Sequence, residues 1–260
     1  MVEAGRINDR NDSDTFTGFW RTLRIIGWSA AAVTLVLPLI FMQFTNEVDW
    51  SFSDFVFAAT ILGGIGLMFE FLIRRSGDDA YRTGVIVSLA TMFLLIWSNA
   101  AVGFVGSGMN FANILYAALV AVPVTGGVIT GFKAKGMFNT MLVTAVAQAF
   151  ITLIVFASGM VGEDEQAVIP VINALFVALW IGAALLFREA SRPIDHRSLR
   201  VLRIHFILSS LLIVIGAILL AFMITVESEP GAIPLLILLI GIGWSILTNF
   251  RMRSTRNAIK

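Results

Sequence analysis

The chain has 260 residues, of which 58% are hydrophobic and 13% charged, and its formal net charge is +1. A water-soluble domain of this size cannot hide so much apolar surface in one core, so the composition places the chain among membrane proteins. It has no cysteine, which excludes disulfides, thiolate metal sites and covalently attached haem.

In chain order, residues 1–13 are polar with mixed charge and are expected to lack fixed structure. Ser13 or Asp14 then caps a short helix in which Phe16, Phe19, Trp20 and Leu23 recur at i, i+3, i+4 and i+7 beside Arg21 and Arg24. That is the pattern of an interfacial amphipathic helix, and residues 1–24 are expected to be a cytoplasmic tail leading into it. The polar start and the long first apolar run argue against a cleavable signal peptide, so the first span is expected to be retained.

Eight apolar runs follow: Ile25–Phe44, Asp54–Ile73, Thr83–Val105, Phe111–Phe132, Phe138–Met160, Ala167–Phe187, Ile204–Val226 and Ala232–Phe250. Each is close to the ~20 residues needed to cross the hydrocarbon. The expected fold class is all-α, a polytopic membrane protein of eight transmembrane helices arranged as four in–out–in hairpins. Residues 25–187 form a six-helix body, 188–203 a basic cytoplasmic linker, 204–250 a C-terminal hairpin and 251–260 a basic tail.

Charge orients these spans. All 18 basic residues lie before span 1, after span 8 or in the connections after spans 2, 4 and 6. The other connections carry Glu47, Asp49, Asp54, Glu163, Asp164, Glu165, Glu227 and Glu229 and no base. The positive-inside rule then puts both termini in the cytoplasm. A basic rim also attracts anionic headgroups. The alternative use of this rim is a partner face, for which Arg192, Arg197, Arg200 and Arg203 are the candidates.

A faint repeat is visible: "RTLRII" at Arg21 and "RVLRIH" at Arg200 each open a pair of spans, and "GIG" recurs at 64–66 and 241–243. Either four hairpins are related, or positive-inside charge alone produces the alternation. Small residues four apart mark expected packing faces: Gly127 and Gly131, Ala117 and Ala121, Ala145 and Ala149, Ala178 and Gly182, Gly241 and Ser245. Pro170 and Pro234 stand near helix starts, where a missing N–H costs little. Pro123 sits in mid-span with Gly126 and Gly127 below it, a candidate hinge or else a static kink filled by a neighbour.

Ionisable groups within membrane spans usually point to function, and Glu70 is the one acid inside a span. Arg74, four residues on, is its expected partner, with proton coupling as the alternative. The neutral polar groups Asn99, Asn110, Asn113, Gln148 and Asn173 form a candidate ligand pocket facing outward; the alternative is that each amide bonds across to another helix. The glycines of "WSNAAVGFVGSGMN" (Trp97–Asn110) do not make a nucleotide loop, since they lack the P-loop lysine and follow no strand.

Enzyme activity is not expected. Ser107 and the two histidines, His196 and His205, fall on opposite sides of the bilayer, and no H-E-x-x-H, aspartate pair or intramembrane histidine pair is present. No metal or cofactor is expected. The expected partners are the lipid bilayer, a cytoplasmic or membrane protein, and a second copy of the chain; direct nucleic-acid binding is not expected.

At "LPLIFMQFTNEVDW" (Leu37–Trp50) and "WSNAAVGFVGSGMNFANILY" (Trp97–Tyr116) the chain resembles a family of uncharacterised multi-span inner-membrane proteins of proteobacteria with a W-x-N-x-A-V-G-x-x-G signature. Trp97, Asn99, Ala101, Val102, Gly103 and Gly106 match it, and the resemblance covers spans 1 to 6 without implying any functional residue. The last hairpin, Arg200 to Arg253, resembles a two-span module of bacterial regulatory proteins, closest at "IGIGWSILTNFRM". Two functions are carried forward. One is a sensory, regulatory or accessory subunit holding a partner such as a transcription regulator at the membrane. The other is a transporter or binder of a small neutral or apolar molecule.

Overall fold

The computed structural model describes residues 2–45, 48–101, 103, 105, 110–163, 166–193, 197–227 and 232–259, with side chains from residue 21 onward except at 23, 101, 197, 225, 227 and 256–259. Glu47, Val102, Gly106, Ser107, Gly108, Asp164, Glu165, His196, Glu229 and Lys260 lie outside the described residues. So do the side chain of Arg197 and the amphipathic face expected at Phe16, Phe19, Trp20 and Leu23.

The described residues form helices joined by short irregular connections, with no strand, and eight segments are long and apolar enough to cross a membrane. These are Arg24–Phe44, Phe52–Arg75, Asp79–Ala100, Phe111–Ile129, Ala134–Ala157, Val168–Ala190, Ser198–Phe222 and Ala232–Thr255. The chain is a multi-pass membrane protein by this measure, and the apolar runs read from the sequence coincide with these helices.

The fold divides into two compact units, residues 1–71 and 72–260. The first contains α1 (Val2–Phe44) and most of α2 (Phe52–Arg75). Helix α1 runs unbroken from Val2, so the segment expected to lack fixed structure is helical in backbone. Helix α2 opens with a capping box: Ser51 N donates to Asp54 Oδ2 at 2.7 Å, and Asp54 N donates back to Ser51 Oγ at 3.4 Å. The two helices meet where Arg24 Nε donates to Glu70 Oε1 at 2.6 Å. Glu70 therefore finds a guanidinium on the neighbouring helix, a partner that local spacing did not indicate. One turn away, the ring of Trp28 lies over Gly66, where a Cβ would come within 2.7 Å of it.

The second unit holds α3 (Asp79–Ala101), α4 (Phe111–Leu119), α5 (Ala121–Ile129), α6 (Ala134–Ala157), α7 (Val168–Ala190), α8 (Arg197–Phe222) and α9 (Ala232–Ile259). Helix α7 is its centre, packing against α3, α6 and α8. It buries most of its circumference because it presents Gly182, Ala183 and Ala184 among large groups such as Phe176, Trp180 and Phe187, and it leaves one stripe exposed through Ala174, Ile181, Leu185 and Arg188. One apolar cluster joins Leu95, Val105, Ala112, Tyr116, Leu119, Val155, Ile169 and Phe176.

The fourth span, read as one run, is two helices that join at Val120. The reason is Pro123. It has no N–H to give the Leu119 carbonyl four residues back, and its ring crowds that carbonyl, so the helix breaks there. Val120 N turns instead to Ala117 O at 3.3 Å, a tighter i to i+3 bond. Pro123 and Gly127 are both buried, and Gly126 faces Thr140 so closely that a Cβ would lie 2.6 Å from its methyl. The residues of the candidate hinge are thus packed against their neighbours. Ala117 and Ala121, expected to mark a packing face, are exposed, because α4 buries the opposite face through Ala112, Asn113, Tyr116 and Leu119.

Helices α8 and α9 cross at reciprocal glycines. A Cβ on Gly216 would lie 2.7 Å from the backbone nitrogen of Leu238, and one on Gly241 would lie 2.9 Å from that of Ile213. Backbone-to-backbone contact of this kind is the main source of helix pairing where water supplies no driving force.

Candidate functional site

Two polar assemblies occupy opposite ends of the second unit. The first begins where α3 stops. Gly103 has φ +80 and its N–H bonds the Asn99 carbonyl at 3.2 Å, so the left-handed residue after the helix closes its last turn. Asn110, with extended backbone, caps α4 by accepting from Asn113 N at 2.9 Å. Asn113 then holds the backbone of Val105 by both groups: its Oδ1 accepts from Val105 N at 3.0 Å and its Nδ2 donates to Val105 O at 3.2 Å. Asn110 Nδ2 donates to the same carbonyl. Asn99 ties α3 to α4 by donating to Asn113 O at 2.9 Å, and its own Oδ1 is buried without a hydrogen-bond partner among the described residues.

A turn further along α4, the assembly continues through Tyr116. Its hydroxyl donates to Thr152 Oγ1 at 3.2 Å and also meets the Asn173 side chain. Thr152 Oγ1 donates to Gln148 O at 2.9 Å. Gln148 Nε2 donates to Asn173 Oδ1 at 2.9 Å, Trp180 Nε1 donates to Gln148 Oε1 at 3.1 Å, and Asn173 Nδ2 returns to Ile169 O at 2.9 Å. Gln148 and Trp180 are 0% exposed and Asn173 3%.

The structure thus gathers the five amides of the sequence-derived pocket into two groups: Asn99, Asn110 and Asn113 bond one another and Val105 where α3 meets α4, whereas Gln148 and Asn173 join α6 to α7 beside Trp180. Sequence reasoning missed Tyr116, Thr152 and Trp180. Their spacing was the available signal: Trp180 falls seven residues after Asn173, Thr152 four after Gln148 and Tyr116 three after Asn113, each on the same helical face.

The second assembly lies at the basic end. Arg200, 6% exposed, pairs with Asp78 and donates to Arg192 O at 2.5 Å. Asp78 also caps α3, its Oδ1 accepting from Tyr81 N at 3.0 Å. Glu189, 2% exposed, accepts from Arg192 Nη1 at 2.9 Å and from Arg203 Nη1 at 2.8 Å. Three of the four arginines expected to face a partner are therefore engaged with acids or carbonyls of their own chain, and only the backbone of Arg197 is described. The signals overlooked were the two acids, Asp78 and Glu189, set among arginines.

Beside this network, Gly131 and Phe132 both adopt left-handed backbone, at φ +59 and +57. For phenylalanine this conformation is uncommon and costs about 1–2 kcal/mol. Three contacts hold it: Phe132 N bonds Gly127 O at 2.8 Å, the Tyr81 hydroxyl donates to Phe132 O at 2.8 Å, and the Arg75 guanidinium lies 5.9 Å from the ring centre. The ring fits only because Gly127 has no Cβ, which would lie 2.5 Å from it. The connections after α2, α5 and α7 are thereby tied together at one end of the unit.

Among the described residues no three His, Asp or Glu side chains group as metal ligands, and His205 packs edge-on against Trp244 with centroids 5.6 Å apart. Comparison with known protein families, with curated proteins and with solved structures finds no match to this chain.

Proposed function

We propose that the protein is a non-enzymatic, multi-pass protein of the bacterial inner membrane, with both termini in the cytoplasm, that serves as a sensory, regulatory or accessory subunit for a protein partner. A transcription regulator kept at the membrane is one example of such a partner. The observation that carries this reading is the state of Gln148. A residue lining a passage exchanges hydrogen bonds with cargo, yet both ends of this amide are spent on Asn173 and Trp180 and the side chain has no accessible surface. The polar groups within the spans act as interhelical ties.

At the basic end, Arg192, Arg200 and Arg203 are held by Glu189 and Asp78, and the exposed Lys133 and Arg188 are offered to a partner. This narrows the arginine face expected from sequence. Native mass spectrometry of the protein gently extracted from its host membrane tests the reading. A stoichiometric protein partner is the expected result, and a bare chain carrying a discrete small molecule would reverse it.

One observation favours the second reading, a binder or transporter of a small neutral molecule. Asn99 Oδ1 is a buried acceptor without a partner among the described residues, beside Asn110 and Asn113, and a ligand donor would satisfy it. On this reading Asn99→Leu abolishes the small-molecule adduct without disturbing any protein partner.

A further inference from the structure

Helix α6 buries one face, through Met137, Thr140, Met141, Thr144, Ala145, Gln148 and Val155, and turns another outward. That outward stripe reads Lys135, Asn139, Val143, Val146 and Phe150, at helical spacing of three and four. It changes chemistry along its length. Lys135 and Asn139 are exposed polar groups at the basic end, with exposed Lys133 beside them. Below them Leu142, Val143, Val146, Ala147 and Phe150 line an open furrow of about 370 Å³ with almost no polar surface. The small Ala147 lets the furrow sink between its larger neighbours.

The order of groups is that of a phospholipid: anion, polar backbone, then hydrocarbon. Lys135 to Leu142 spans about 10 Å of helix and Lys135 to Phe150 about 22 Å, at ~1.5 Å per residue. We propose that this stripe is a binding site for one anionic phospholipid, with the phosphate and headgroup held by Lys135 and Asn139 and an acyl chain laid along the Leu142–Phe150 furrow. Charge complementarity selects the occupant. No acid lies in the first turn of α6, and Lys133 and Lys135 flank its first residue, so a zwitterionic lipid gains nothing there that an anionic one does not exceed. The helix direction assists, because side chains tilt toward the N-terminus and carry the Lys135 ammonium outward to headgroup level.

The test is native mass spectrometry of protein taken from vesicles of equal phosphatidylglycerol and phosphatidylcholine. The wild type is expected to retain one phosphatidylglycerol in preference to phosphatidylcholine. Lys135→Gln is expected to lower that retention about fivefold, the worth of one base near an anionic surface. Val146→Trp, which fills the furrow and leaves the charge alone, is expected to lower it too, and Lys135→Arg to preserve it. Equal retention of the two lipids, unchanged retention in both Lys135→Gln and Val146→Trp, or loss in Lys135→Arg would overturn the proposal. So would displacement of the lipid by excess inorganic phosphate, which would make the site one for free anions.

Discussion

Trp180 donates its indole N–H to Gln148 Oε1 at 3.1 Å in a part of the bundle where neither side chain has any accessible surface. The bond joins α7 to α6 at the point where the same glutamine reaches back to Asn173. Gln148→Leu would leave the indole N–H and Asn173 Oδ1 buried and unmatched. It is expected to destabilise the protein by about 1–2 kcal/mol, the upper range for interhelical bonds in membranes. Unfolding midpoints in mixed detergent measure this. Because Gln148 and Asn173 share one bond, Gln148→Leu with Asn173→Leu should cost less than the two single losses added. Strict additivity would show that the bond contributes nothing.

Removing one partner of the Arg200–Asp78 pair should be worse than removing both. Side-chain exposures of 8% and 17% leave some solvent screening, so Asp78→Ala is expected to cost about 2 kcal/mol, below the full range for a buried pair. Asp78→Leu combined with Arg200→Met removes the unpaired charge and is expected to recover most of that loss. Thermal unfolding in detergent checks the order, and a double variant no better than Asp78→Ala would contradict it.

The α8–α9 crossing separates two glycines that look alike in sequence. Gly216→Ala forces a methyl to within 2.7 Å of the Leu238 backbone, which cannot swing aside. Gly243→Ala meets nothing within 4 Å and gains about 1 kcal/mol of helix propensity. Disulfide trapping of cysteine pairs across the hairpin should weaken in Gly216→Ala and persist in Gly243→Ala. Equal trapping in both would remove the close crossing as an explanation.

The absence of native cysteine makes orientation directly measurable. A membrane-impermeant maleimide applied to intact cells, followed by labelling after lysis, should reach Ser158→Cys from outside and Lys135→Cys only after lysis. Both residues are exposed and they flank opposite ends of α6. The reverse pattern would invert the proposed topology and place the basic end outside.

Much of this molecule was legible from one-dimensional features. Apolar runs about as long as the bilayer is thick determined the eight helices, since no other backbone form can satisfy its own hydrogen bonds in lipid. Lysine and arginine placement determined the expected orientation, and Pro123 marked a break that appears at Val120, within the turn whose bond it removes. The five amides were also visible as a group of interest. What could not be read was their pairing. Asn99 could equally have faced a ligand, and only the packing of α3 on α4 gives its amide the Asn113 carbonyl. The same holds for charge: the tertiary fold brings Glu70 the guanidinium of Arg24 from another helix, and it brings Arg200 to an acid 122 positions distant. Local spacing sets which residues share a helical face, but a polar group in an apolar medium bonds to whatever the neighbouring helix presents, and that is a property of three-dimensional packing alone.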